Sequence, residues 1–413
     1  MSQLTVCLIL FQMMSFVTIG TWAQTQESPR RILTLVAERM IAQTSYRFID
    51  TSNRSMPLLE VPRPVVPTIR IMSDYNDWNY FMGVVLSGML RTSDATGETK
   101  YREYVLRNFR FIFDNLDYFH DQWEVHQVTR ASFYRVFRMN MLDDCGAMGA
   151  ALAEAYRYEQ DPRYFGMLQR IGNYVRNVQL RLPDGTLSRP DPRYMTLWAD
   201  DLYMSVPFLA RMARITGDQR YVDDAIHQVL GFSGRLIDPG TGLLKHAWFS
   251  DTGTRSIAAW GRANGWAIMA QVELLSQVPA SHPMKDSLVA ILRRHLSALA
   301  RYQGETGLWH QVLDSPDSYL ETSCSAMFCY GLARAVNEGW LDSSYARHAR
   351  KAWAGVSRRV RPDGQIEGIC RGTEVGFTTQ FYYDRPTPLN DTRGIGAVLL
   401  AGAELIRLDL EHK

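Results

Sequence analysis

Apolar positions recur along this chain mostly at helical spacing, and strict two-residue alternation is rare. The pattern predicts an all-α fold. One motif punctuates it: a helix ends, a short polar turn follows, and a tyrosine opens the next helix. It falls at 96–101, 159–164, 216–221 and 341–345, ending on Tyr101, Tyr164, Tyr221 and Tyr345. The first two steps are each about sixty residues and the last is twice that, so a missing member is expected near 281–283. A second series, on Gly185, Gly242, Gly307 and Gly364, carries turn sequences at nearly the same period.

Each unit therefore reads as a helix–turn–helix hairpin, stacked on its neighbours as in other repeat folds. Roughly six such units fit the chain. Single helical patterns at Ile32 to Arg47 and Val398 to Leu408 stand at the two ends. They are placed to complete a toroid of six inner and six outer helices, so closure is expected over an open solenoid. No break in composition divides residues 24–413, which read as one domain. In a closed ring all the glycine-bearing loops lie at one end. Residues unusual for the start of a buried helix follow each loop: Trp198 and Asp200, then His246 and the Trp260–Trp266 segment, then Trp309, His310 and Glu321, then Tyr382, Tyr383, Asp384 and Arg385. Upstream, Asp143 and Asp144 open the equivalent helix. These side chains are expected to converge on a polar, aromatic-lined pocket at the mouth.

Composition narrows the function. The 413 residues carry 45 Lys and Arg against 43 Asp and Glu, a net charge of +2, which argues against a basic nucleic-acid-binding surface. The 10 Trp and 20 Tyr suit either broad helix–helix contacts or a cleft that stacks sugar rings. Residues 1–23 hold no charged side chain, and Thr21-Trp22-Ala23 resembles a small-x-small cleavage site. They read as a signal peptide, with an uncleaved anchor as the alternative, so a secreted or periplasmic protein is expected. No later segment is apolar for long enough to span a membrane. Cys324 and Cys329 lie five apart on a predicted helix, on different faces, and read as core residues. No Cys/His spacing suggests zinc, and neither metal nor cofactor is expected.

Asp144 and Asp200 are candidate acid–base groups. Each belongs to a doublet, Asp143-Asp144 and Asp200-Asp201, at the start of an apolar helical run. Helix capping explains such residues equally well. A carboxyl among Trp rings and near a second carboxylate is expected to have a raised pKa and to donate a proton. Arg262, between Trp260 and Trp266, reads either as a salt-bridge partner or as a fork for a carboxylate. His246 reads as structural or as part of the site. Trp78 and Tyr80 read more readily as core than as a platform for a ligand, and Tyr80 is kept as a pocket candidate.

The segments 142–149, 197–208, 260–266, 321–328, 336–341 and 394–404 resemble the unsaturated rhamnogalacturonyl hydrolases of glycoside hydrolase family 105. They are similar, less closely, to the unsaturated glucuronyl hydrolases of family 88. The resemblance runs from about Asp77 to Leu408. It implies an (α/α)6 barrel that removes a 4,5-unsaturated uronic acid from the non-reducing end of lyase-generated oligosaccharides, by hydrating the C4=C5 bond. It places the acid/base on Asp200 and the second carboxylate on Asp144, with Asp143 as the alternative. Arg262, Trp266, Trp260, Trp198 and His246 would line the sugar pocket. Arg189 stands where some relatives carry a histidine and would contact the uronate. Met82 replaces a residue that is polar in many relatives, which implies a more apolar subsite edge. An ordinary inverting glycosidase on the same fold and a non-catalytic glycan-binding protein are the competing readings.

Overall fold

Local signals start the helices where the chain leaves its loops. Ser28 accepts from the Arg31 amide with Pro29 in the first turn of the first helix, and Asp161 does the same for Arg163 ahead of Pro162. The computed structural model describes residues 28–53 and 56–411. The expected signal peptide, residues 1–23, lies outside the described residues.

Helix α1 (Pro29–Gln43) is followed by α2 (Tyr80–Thr96), α3 (Thr99–Glu124) and a short α4 (Tyr134–Arg138). Then come α5 (Gly146–Ala155), α6 (Pro162–Asn173), α7 (Val206–Thr216) and α8 (Arg220–Leu236). They are followed by α9 (Gly261–Leu275), α10 (Lys285–Arg301), α11 (Thr322–Asn337) and α12 (Ala346–Ser357). A short α13 (Thr379–Tyr383) precedes α14 (Thr392–Glu411).

Helices α2, α5, α7, α9, α11 and α14 pack each on the next, and α14 packs back on α2. This is the expected closed ring. Helices α1, α3, α6, α8, α10 and α12 lie outside it, each against two inner neighbours. The inner helices are buried around their circumference: no residue of α5 or of α9 is exposed. The missing turn falls at 276–284, just before α10. The first helix ends at Gln43 rather than Arg47, because Thr44 turns the backbone into an extended conformation.

The long loops hold short strands that helical periodicity did not predict. They are β1 (Phe48–Asp50), β2 (Ile69–Ile71), β3 (Thr196–Trp198), β4 (Ala247–Phe249), β5 (Thr254–Arg255), β6 (Trp309–His310) and β7 (Leu320–Glu321). Antiparallel pairing of β3 with β4 sets Trp198 against Ala247. All six long loops, and all six inner-helix N-termini, share one end of the barrel.

The other end is closed by charge. Each inner helix brings a polar side chain there. Arg211 of α7 donates to Glu154 of α5 at 2.8 Å and to Glu273 of α9 at 2.5 Å. Tyr330 of α11 also donates to Glu273, and Arg334 reaches Glu404 of α14 at 3.1 Å. Arg91 of α2 completes the belt electrostatically. Burial works against the Glu273 charge, but Arg211 and Arg91 outweigh it and bring its pKa from 4.5 down to about 2. Its stabilisation is therefore complete above the unfolded value and lost as pH falls from 4.5 toward 2. Denaturant titrations should show about 3 kcal/mol of acid-labile stability over that window, absent in Glu273→Gln.

Candidate active site

Strand pairing builds the centre of the loop end. Because β3 lies along β4, the Ala199 amide reaches the His246 carbonyl at 2.9 Å, so Asp200 is brought beside the His246 ring. His246 Nε2 stands 3.3 Å from Asp200 Oδ2, and neither atom has another polar partner. Asp200 keeps 15% of its side chain exposed, while His246 is fully buried behind it. On the far side of the ring, His246 Nδ1 lies 2.8 Å from the Tyr382 hydroxyl. Trp260 packs on His246 at 4.5 Å between ring centroids, and Trp198 meets it edge-on at 5.6 Å.

Neither aspartate doublet caps a helix through its side chain. Both sit in 3-10 turns just before α5 and α7, at Leu142–Asp144 and Ala199–Leu202. Adjacent residues in such a tight turn face different ways. Asp200 faces the mouth. Asp201, fully buried, is held by Arg189, whose Nε lies 2.9 Å from one carboxylate oxygen. The first doublet is divided in the same way. Asp143 is partly open and accepts from Arg189 at 2.9 Å. Asp144 has no exposure: Arg138 binds both its oxygens, one at 3.0 Å, and the Asn140 amide adds a bond at 3.2 Å. Of the two carboxylates expected as alternatives for the second site acid, Asp144 is thus held by the protein and Asp143 is the member open to a ligand.

Charge around Asp200 also differs from expectation. Burial raises its pKa, but His246, Arg189 and Arg262 outweigh that and hold it below the ordinary carboxylate value. Its neighbour behaves as expected for a desolvated acid. Burial pushes Asp201 up to about 6 despite Arg189, with Asp143 and Asp200 adding to the rise.

The two arginines expected to grip a substrate carboxylate are occupied by the protein. Arg262 is buried and donates to the carbonyls of Cys370 and Arg371, the latter at 2.8 Å, with its guanidinium 4.7 Å from the Trp260 ring. It ties the last long loop to α9 and acts on Asp200 as a field from behind. Arg189 lies over Trp198 at 4.5 Å, between Asp143 and Asp201. Trp260 and Trp266 are each 1% exposed, so they form the wall's backing rather than its face. Trp266 carries Tyr203 at 5.1 Å and the edge of Tyr80 at 6.3 Å. Trp198 and Tyr80 are half-open, and Tyr80 accepts from Arg393 at 3.1 Å. Met82 is buried, so it forms no subsite edge. Trp78 is core, as expected, and donates from its indole nitrogen to the Asp144 carbonyl at 2.7 Å.

Two partly open carboxylates and aromatic rings at one mouth of a closed helical ring are an arrangement suited to acid–base chemistry on a sugar. The profile of Glycosyl Hydrolase Family 88 matches residues 54–409, and the chain belongs to that family. It is a glycoside hydrolase, which sets aside the reading as a non-catalytic binding protein. It is 32% identical over 268 residues to the unsaturated rhamnogalacturonyl hydrolase YesR of Bacillus subtilis (strain 168), spanning 63% of this chain and 76% of that protein. It is 29% identical over 219 residues to an unsaturated 3S-rhamnoglycuronyl hydrolase of Alteromonas sp. (strain LOR), covering 51% of each. A family 105 glycoside hydrolase structure from C. acetobutylicum ATCC 824 superposes with a TM-score of 0.70 at 25% identity, over 90% of this chain and 98% of that one. The resemblance to families 105 and 88 and the (α/α)6 fold both hold.

The divided doublet gives a direct test. Asp144→Asn breaks a buried ion pair and should lower stability in urea unfolding by about 3 kcal/mol. Asp143→Asn removes a partly open partner of Arg189 and should cost less than about 1 kcal/mol.

Proposed function

We propose that this hydrolase removes a 4,5-unsaturated uronic acid from the non-reducing end of oligosaccharides left by polysaccharide lyases. The observation that carries the reading is Asp200, open at the mouth and backed by a histidine with no other partner for Nε2. The names of the relatives, which act on unsaturated rhamnogalacturonyl and rhamnoglycuronyl substrates, support the substrate class. Rhamnogalacturonan fragments from pectin are the first candidates.

In this mechanism protonated Asp200 delivers its proton to C4 while water adds at C5. The π electrons of the C4=C5 bond form the new C–H bond, and positive charge develops at C5 and the ring oxygen. Asp143, the open member of its doublet, stabilises that charge. The Asp200 carboxylate takes a proton from the adding water and is restored. The product is a hemiketal, whose opening releases the aglycone. Six helix N-termini converge on the mouth and favour the anionic sugar there. The same sugar supplies the missing condition for acid chemistry: its carboxylate and the loss of water both favour the protonated form of Asp200. The uncharged, apolar start of the chain supports secretion or periplasmic location, and no helix among the described residues is long and apolar enough to cross a membrane.

Conjugated unsaturated uronides absorb in the ultraviolet, so turnover is read as loss of absorbance. Asp200→Asn should keep the wild-type melting temperature within a few degrees and lose more than about a thousandfold in kcat. Turnover of a saturated analogue at a comparable rate would point instead to an inverting glycosidase. Because the free site holds Asp200 ionised and the substrate opposes this, the descending limb of kcat should lie at higher pH than that of kcat/KM. Coincident limbs would refute substrate-assisted protonation.

A further inference from the structure

Behind Asp200 lies a group that the mechanism above leaves unused. Tyr382, on α13 in the last long loop, is fully buried, and its hydroxyl oxygen accepts from the Gly376 amide at 3.0 Å. The same oxygen is 2.8 Å from His246 Nδ1. Burial pushes the phenol pKa up, with Asp200 adding to the rise, so the hydroxyl keeps its proton.

Hydrogen-bond accounting decides where the protons go. A tyrosine hydroxyl has one proton to give and can accept at its oxygen. One acceptor position is taken by Gly376. If Nδ1 carried the ring proton, the hydroxyl would accept twice and its own proton would be left without a partner in a buried place. That arrangement costs a desolvated donor. It would also turn the Nε2 lone pair toward Asp200 Oδ2 at 3.3 Å, two acceptors facing one another. If the hydroxyl donates to Nδ1, every group is satisfied: the Nε2 proton faces the carboxylate, and Gly376 keeps its acceptor.

We propose that Tyr382 is a positioning residue for the reaction, holding His246 in the tautomer whose Nε2–H faces Asp200. The remaining charged groups around the pair are accounted for. Arg189 from the loop before β3 and Arg262 from α9 lower the Asp200 pKa alongside His246. Asp201 lies next in the turn, and Asp143 reaches the cluster through Arg189. The rings of Trp198 and Trp260 fill the other faces of the imidazole. Tyr382 thus acts through His246 on the group that gives and takes the proton. Loop 373–377, which includes Gly376, is joined to the acid through one hydroxyl.

The inference rests on the function proposed above, and its test separates the two. In wild-type protein labelled with 15N-histidine, the ring-nitrogen shifts report the tautomer without any substrate, with His246→Gln used to assign the signal. The Nε2–H form is expected; the Nδ1–H form would overturn the proposal, whatever the enzyme's substrate. The kinetic arm uses an unsaturated uronide followed in the ultraviolet. Without the hydroxyl, the ring proton can move to Nδ1 and Asp200 loses its donor. Tyr382→Phe should therefore move the descending limb of kcat up by about one pH unit. The amide of His246→Gln supplies a donor independent of Tyr382, so adding Tyr382→Phe to that variant should move the limb no further. Loss of rate with an unmoved limb would mean that Tyr382 only anchors its loop. A shift that persists in the His246→Gln background would place its action elsewhere.

Discussion

Nothing covalent joins the first inner helix to the last. The ring exists because α14 packs back against α2, and the contact is close enough to exclude a side chain: a Cβ on Gly396 would stand 2.5 Å from the Val84 backbone. Burial of the inner helices on all sides follows from this closure, since an open arc would leave α2 and α14 with one apolar face each in water. The site follows from it too. Only in a closed ring do loops separated by two hundred or so residues, such as those bearing Asp200 and Tyr382, meet around one imidazole.

The charges at the mouth are arranged in depth. Carboxylates with some exposure, Asp143 and Asp200, stand in front; Arg189, Arg262 and the buried His246 ring stand beside or behind them. Each guanidinium is committed to the protein's own acceptors, Arg189 to two carboxylates and Arg262 to two carbonyls. Such groups cannot rotate to follow a ligand without leaving buried acceptors unpaired. Their contribution to the site is a fixed field, set before any sugar arrives. In the proposed mechanism, binding works against that field at the Asp200 carboxylate.

The architecture was legible because it is periodic. Tyr101, Tyr164, Tyr221 and Tyr345 stand at or beside the starts of α3, α6, α8 and α12, and the repeat alone located the turn before α10. The location of the site was legible for the same reason, from register. Roles within it were less so. Asp143 and Asp144 are neighbours of one chemical type, and a single 3-10 turn decides which meets Arg138 and which meets Arg189. Arg262 read as a salt-bridge partner or a carboxylate fork because its actual partners, the carbonyls of 370 and 371, lie in a loop more than a hundred residues away. The raised pKa expected for Asp200 followed from burial, and burial does act that way; the histidine beside it reverses the sign. Tyr382 stood in the sequence as one aromatic among several on the last loop, and only β3–β4 pairing, which delivers His246, gives it a task.

The belt of Glu154, Arg211, Glu273, Tyr330 and Arg334 has a bearing on traffic. It makes the barrel a well instead of a tunnel. A tunnel lets one fragment depart ahead while the next advances from the rear, so the polymer can be threaded. A well has one door. Whatever lies deepest must wait for whatever lies above it to go, and departure has an order imposed by architecture rather than by affinity.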